Sequence, residues 1–320
     1  MEILKVNNLR TYFETPHGVV RAVDGIGFSL RQGETLGIVG ESGAGKSVTA
    51  LTVMGLAWQI GARLVRGEVW YAGTELLASP GRYQGVRGRK ISMIPQEAAA
   101  SINPVLTVAQ QIGELLKVHL GLTAVERRIK ICELLERVEI SDPELVGRQY
   151  PSQLSGGIIQ RVLLAMALSC GPDIIIADEP ASSLDVSVQS EILKLLDYTK
   201  KNSGLALVLI AHDLAVICNN SDRIMVMFQG CVMESGPTKI VLSSPLHPYT
   251  VSLLSLYRNL DQVTGDYSGL AGSLSNSSRD NTGCRYAPRC SRVTGNCLHT
   301  RPEPAEVSGD RVVACHNPIV

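Results

Sequence analysis

The chain has 320 residues, 45% of them hydrophobic, and its 30 basic and 30 acidic side chains leave a formal net charge of zero. That length buries a full core with room for more than one domain. The composition argues against disorder, and the charge balance offers no basic field for nucleic acid. No apolar run reaches the roughly 18 residues that signal a membrane span. The start, Met1-Glu2-Ile3-Leu4-Lys5, lacks the basic-then-apolar pattern of a secretory leader, so the chain is expected to stay in the cytoplasm.

A first strand is expected over residues 3–9, followed by Tyr12 and Phe13. Aromatics are only 4% of the chain, so this adjacent pair stands out: one ring could stack on a nucleobase, or both could pack in the core. The run Leu36-Gly37-Ile38-Val39 predicts a strand that leads into Gly40-Glu41-Ser42-Gly43-Ala44-Gly45-Lys46-Ser47, and a helix is expected over 48–57. Strand, glycine loop and helix together make this a phosphate-binding P-loop. The glycines let backbone N–H groups turn toward phosphate oxygens, and the helix N-terminus adds partial positive charge. Lys46 can reach the β- and γ-phosphates, and the Ser47 hydroxyl can ligate Mg²⁺.

Further strands are expected at 67–71 and 91–94, with a loop over 78–89. After Gln96 the pattern turns helical, at 106–120 and 124–138, and stays so until the apolar strand 174–177. A helix at 189–201 and strands at 205–210 and 223–228 follow. Apolar runs alternating with helices predict an α/β fold with a largely parallel sheet. Residues 265–283, rich in Ser, Gly and Asn, read as a flexible linker.

Asp178-Glu179 closes the strand 174–177. A carboxylate there can hold Mg²⁺, and Glu179 can polarise a water for attack on the γ-phosphate. Leu154-Ser155-Gly156-Gly157 opens an apolar helix over 158–168 and makes a second anion site, one that two facing subunits could share.

The order of the loop 40–47, Gln96, Leu154–Gly157, Asp178-Glu179, Ser183-Leu184-Asp185 and His212 resembles the Walker A, Q-loop, signature, Walker B, D-loop and H-loop of the ABC transporter ATPases. The resemblance spans roughly residues 3–248. It implies a RecA-like P-loop NTPase core with an antiparallel β portion and a helical subdomain. Lys46 would bind phosphate oxygens, and Ser47, Gln96 and Asp178 would organise Mg²⁺ and its waters. Glu179 would act as general base, and His212 would sense the γ-phosphate. Ser155, Gly156 and Gly157 would bind the nucleotide of a second ATPase subunit, identical or paralogous, with Asp185 at that interface and Phe13 (or Tyr12) against adenine. The signature usually carries Gln where this chain has Ile158.

Ser101-Ile102-Asn103-Pro104 and His247-Pro248-Tyr249-Thr250 look like the oligopeptide and dipeptide importers, although Glu97-Ala98-Ala99-Ala100 departs from the Asp-Pro version usual there. The resemblance implies two membrane permeases and an extracytoplasmic binding protein as partners, at the cytoplasmic face of the cell membrane. An ABC ATPase that moves no solute, and an importer of nickel or another small solute, are the alternatives.

Of eight cysteines, Cys132, Cys170, Cys218 and Cys231 read as small core residues. Cys284, Cys290, Cys297 and Cys315 crowd a final segment too poor in apolar residues to bury a core alone, so a staple is expected. Four thiolates suit a Zn²⁺ or an iron–sulfur cluster. The resemblance to dipeptide-importer ATPases implies a 4Fe-4S cluster. The expected organisation is a nucleotide-binding domain over 1–250 with a helical subdomain at 97–170, a linker over 251–283, and a cysteine-rich extension over 284–320.

Overall fold

Residues 1–180, 185–260 and 282–319 are described by the computed structural model. In chain order β1 (Glu2–Thr15), β2 (Gly18–Arg31), β3 (Thr35–Val39), α1 (Lys46–Val53), β4 (Leu64–Tyr71) and β5 (Thr74–Glu75) come first. Then follow β6 (Ile91–Ile94), α2 (Ala98–Ser101), α3 (Val108–Leu120), α4 (Ala124–Arg137), α5 (Pro143–Arg148), α6 (Gly156–Leu168), β7 (Ile174–Asp178), α7 (Val186–Ser203) and β8 (Ala206–Ile210). The rest comprises α8 (Leu214–Asn220), β9 (Arg223–Phe228), β10 (Cys231–Pro237), α9 (Thr238–Ser243), α10 (Pro248–Leu260), α11 (Gly295–His299), β11 (Ala305–Ser308) and β12 (Arg311–Val313).

The chain divides into two units. One contains Met1, Arg31–Glu34 and Ala78–Ile210. Its strands β6, β7 and β8 pair in parallel, in that spatial order. Every residue of β7 and β8 is buried, as expected when helices cover both faces of a parallel sheet. The helices α2 to α6 lie between β6 and β7 in the chain and make up its helical part. Its two longest members outside α6 start at Thr107 and Thr123, whose hydroxyls accept from the N3 amides while Gln110 and Glu126 reach back to the cap N–H groups. These capping boxes satisfy donors that a helix start leaves unpaired, which is why the helices begin there.

The other unit contains Glu2–Leu30, Thr35–Leu77 and Ala211–Val320. It holds a four-stranded sheet, ordered β2-β1-β4-β5, in which β1–β4 and β4–β5 pair antiparallel. It also holds the strand series β11-β12-β10-β9-β3, parallel only between β3 and β9.

Several expectations shift. Strand β1 runs to Thr15, so Tyr12 and Phe13 lie within it rather than after it. Helix α1 stops at Val53, and a 3₁₀ turn over Ala57–Ile60 finishes the segment. A 3₁₀ turn over Pro80–Tyr83 interrupts the loop 78–89. Most of the expected linker lies outside the described residues, as do Ser183 and Leu184. The C-terminal segment joins the rest of its unit by strand pairing. Its hairpin β11–β12 adds to the edge of β10, so it borrows the core of the larger sheet.

Candidate nucleotide-binding site

In the P-loop, Gly43 and Gly45 take left-handed φ values of 77° and 98°. A Cβ on Gly40 would lie 2.2 Å from the carbonyl oxygen of Met227, and one on Gly45 would lie 2.2 Å from that of Ala22. Glycine is required at both places by close backbone approach, not by sequence habit. Gly45 caps α1 without any side-chain bond, which leaves the helix start suited to an anion. Lys46 is buried, and its Nζ donates to the carbonyls of Gly40 (2.8 Å) and Glu41 (3.2 Å) and lies 3.4 Å from Nδ1 of His212. An ammonium bonded across the loop holds the cradle in shape and can turn to phosphate oxygens at small cost. Ala44 is buried, Ser47 half-buried, and Ser42 and Gly43 exposed at the loop tip.

Glu41 uses every polar group it has. Its N–H donates to the Tyr249 hydroxyl at 3.1 Å, and its carbonyl accepts from Ala44 N–H and from Lys46. Its carboxylate accepts two bonds from Arg289, of 2.8 and 2.9 Å. Tyr249, Phe228 and Tyr286 pack as an aromatic group with ring centroids 4.8 to 5.4 Å apart. Burial pushes the Tyr249 hydroxyl far above its ordinary range, so it stays neutral.

Tyr12 donates from its hydroxyl to Asp24 at 2.6 Å, and the Arg21 guanidinium lies 5.8 Å from its ring centroid. Arg285 and Arg301 pair with the same carboxylate at 2.6 and 3.0 Å. Burial alone would raise the Asp24 carboxyl, but the Tyr12 hydroxyl, Arg301 and Arg285 outweigh it and hold it below the usual range. Phe13 is half-buried beside it in β1.

In the first unit, Asp178 ends β7 as a buried carboxylate and Glu179 follows with a φ of 51°, a left-handed conformation that a non-glycine residue adopts at a cost. The Glu179 N–H donates to the Ile210 carbonyl, and Gln96 Nε2 donates to Glu179 Oε2 at 2.9 Å. The structure therefore brings together Gln96 and Glu179, which the sequence separates by 83 positions. Ser155 caps α6 by accepting from Ile158 N–H, and Ser155 and Gly156 are exposed. Asp185 caps α7, and bonds from the Ser187 hydroxyl and then the Val188 amide keep its carboxyl below the ordinary range.

All eight cysteines are free thiols, and only Cys231 of the first four is fully buried. The thiols of Cys284 and Cys315 are raised first by burial, and the other C-terminal cysteines add to it. The four thus share one neighbourhood. Yet among the described residues no group of three or more His, Cys, Asp or Glu side chains is arranged to hold a metal ion. His316 contacts the Thr300 carbonyl instead.

Sequence reasoning missed Arg289, Asp24 and the aromatic group. The motif His247-Pro248-Tyr249-Thr250 was a visible signal, but nothing local tied Tyr249 to the P-loop.

Comparison with known proteins gives a consistent picture. The family described as ABC transporter matches residues 23–182, and that described as oligopeptide/dipeptide transporter, C-terminal region, matches residues 233–297. The oligopeptide transport ATP-binding protein AppD of Bacillus subtilis is 38% identical over 314 residues, covering 98% of this chain and 96% of that protein. The dipeptide transport ATP-binding protein DppD of Haemophilus influenzae is 40% identical over 321 residues, covering 100% and 96%. Among solved structures, the dimeric ABC transporter cassette MJ0796 is similar with a TM-score of 0.65 at 26% identity, over 74% of this chain and 99% of that one.

Proposed function

This chain belongs to the ABC transporter ATPases, and from that membership we propose that it is the subunit whose ATP hydrolysis drives a peptide importer. The observation that carries the reading is the pre-shaped cradle of Gly40, Gly45 and Lys46 in a chain whose relatives are named for oligopeptide and dipeptide transport. No described helix is long and apolar enough to cross a membrane; in this reading the permeases form the solute's path.

Lys46 and the amides of the loop 40–47 take the phosphates. Ser47, Gln96 and Asp178 would hold Mg²⁺ through their oxygens, and the ion would supply charge neutralisation at the transferring phosphoryl group. Glu179, oriented by Gln96, takes the proton of the attacking water. His212 reads the γ-phosphate from beside Lys46. Phe13 or Tyr12 supplies the face for adenine. The exposed Ser155 and Gly156, with the half-buried Gly157, close over the nucleotide of a second ATPase subunit, with Asp185 at the contact. That the pair forms and parts with each ATP, at the cytoplasmic face and supplied by an extracytoplasmic binding protein, is part of the same reading.

Cys284, Cys290, Cys297 and Cys315 have the chemistry of an iron–sulfur ligand set, and we assign them that role. The support is their number and shared neighbourhood. Anaerobically purified protein should carry stoichiometric iron and a visible charge-transfer band, and zinc or no metal would overturn the assignment.

The test of transport is reconstitution with two permeases and a binding protein in vesicles. ATP-dependent uptake of di- and oligopeptides is expected. An assembly that hydrolyses ATP but moves only nickel complexes, or a chain that never joins a permease, would overturn it.

A further inference from the structure

Glu41 presents a difficulty for a phosphate site. It places a carboxylate in a loop whose other features all attract anions, and a bound triphosphate would be repelled by it. The structure answers this charge from a distant part of the chain. Arg289, between Cys284 and Cys290 of the C-terminal segment, grips both Glu41 oxygens in a fork-to-fork pair. The guanidinium is itself held in place, lying 5.5 Å from the Phe228 ring centroid and 5.8 Å from that of Tyr286. Tyr286 is braced by Ser252, whose hydroxyl lies 3.0 Å from its own. Tyr249, from the same aromatic group, takes the Glu41 N–H.

We propose that Arg289 is a positioning residue for ATP: it neutralises Glu41 and turns its carboxylate from the phosphate cradle, so that the C-terminal segment sets the affinity of the P-loop. The proposal rests on the ATP-binding reading above. The pair is partly exposed, with side chains 26% and 36% accessible, so solvent screens it in part. The rigid fork and the aromatic backing keep it effective. The segment acts on the loop and not on the phosphates, so its removal should weaken nucleotide binding more than it slows the chemistry.

The test is equilibrium binding of Mg·ATP and of ADP to the full-length chain and its variants, with thermal denaturation alongside. R289A should weaken ATP binding on the order of tenfold, the size of a lost charge-assisted pair, and weaken ADP less because it carries less charge. R289K should recover part of the loss, since a point charge replaces a fork. E41Q/R289A should recover most of it, because the exposed charge is gone. Unchanged ATP affinity in R289A overturns the proposal, as does a loss equal for both nucleotides or one that E41Q fails to relieve. If R289A alone does not fold, R289K and the double variant decide the question by the same two comparisons. A wild-type chain that binds no ATP would instead overturn the nucleotide reading itself.

Discussion

Gln96 donates to the Glu179 carboxylate at 2.9 Å, joining the end of β6 to the end of β7. Parallel pairing of those strands carries both residues to the same sheet edge, where substrates of open α/β folds bind. The bond fixes which way the carboxylate faces while the backbone of Glu179 sits in a left-handed conformation. A general base needs this orientation before its basicity matters.

Glu179→Gln should therefore retain ATP binding and lose roughly 10²–10⁴-fold in turnover, the usual contribution of a positioned base. Single-turnover hydrolysis and equilibrium binding on the same protein check this. Near wild-type turnover would remove Glu179 from the mechanism.

Gly45→Ala should destabilise the fold as well as the site. The substitution meets the Ala22 carbonyl and must adopt a φ of 98°. The left-handed conformation alone costs about 1–2 kcal/mol, and the clash adds to it. A lower melting temperature together with lost nucleotide binding is expected.

Arg311 and Glu234 form a buried ion pair at 2.7 Å, with side chains 6% and 0% accessible. The Leu246 and His247 amides donate to the same carboxylate. Arg311→Met strands a buried charge and should cost about 3–5 kcal/mol in urea denaturation. Adding Glu234→Gln should return part of that loss, since the charge that needed a partner is then gone.

His247 should make stability depend on pH. Burial, opposed in part by the Glu234 charge, lowers its imidazole to about 4 from an ordinary 6.5. Between those values the unfolded chain binds a proton that the folded chain does not. Stability should thus fall as pH drops from 6.5 toward 4 and level off below, by up to about 3 kcal/mol. His247→Gln should flatten that window in denaturation curves taken across it.

Local features were legible in the sequence because they depend on neighbours along the chain. The strands β6, β7, β8 and β9 are short apolar runs, and α3 and α4 show a helical pattern. The P-loop declares itself through the spacing of Gly40, Gly45, Lys46 and Ser47. How the C-terminal segment joins the rest is not legible, because its few apolar residues say nothing of the strand edge they meet. The extension of β1 through Tyr12 and Phe13 is not legible, because their alternation gives no sign of how far β4 extends the pairing.

The sequence by itself determined the phosphate loop, the order of the chemical motifs and the family they mark. Only the tertiary structure decided what the loop leans on. Glu41 and Arg289 stand 248 positions apart, and no local rule relates them. Their meeting follows from the hairpin β11–β12 docking on β10 and from the aromatic group of Phe228, Tyr249 and Tyr286 that presents Arg289 to the loop. A carboxylate in an anion site has no fixed partner in the sequence; packing chooses the cation that answers it.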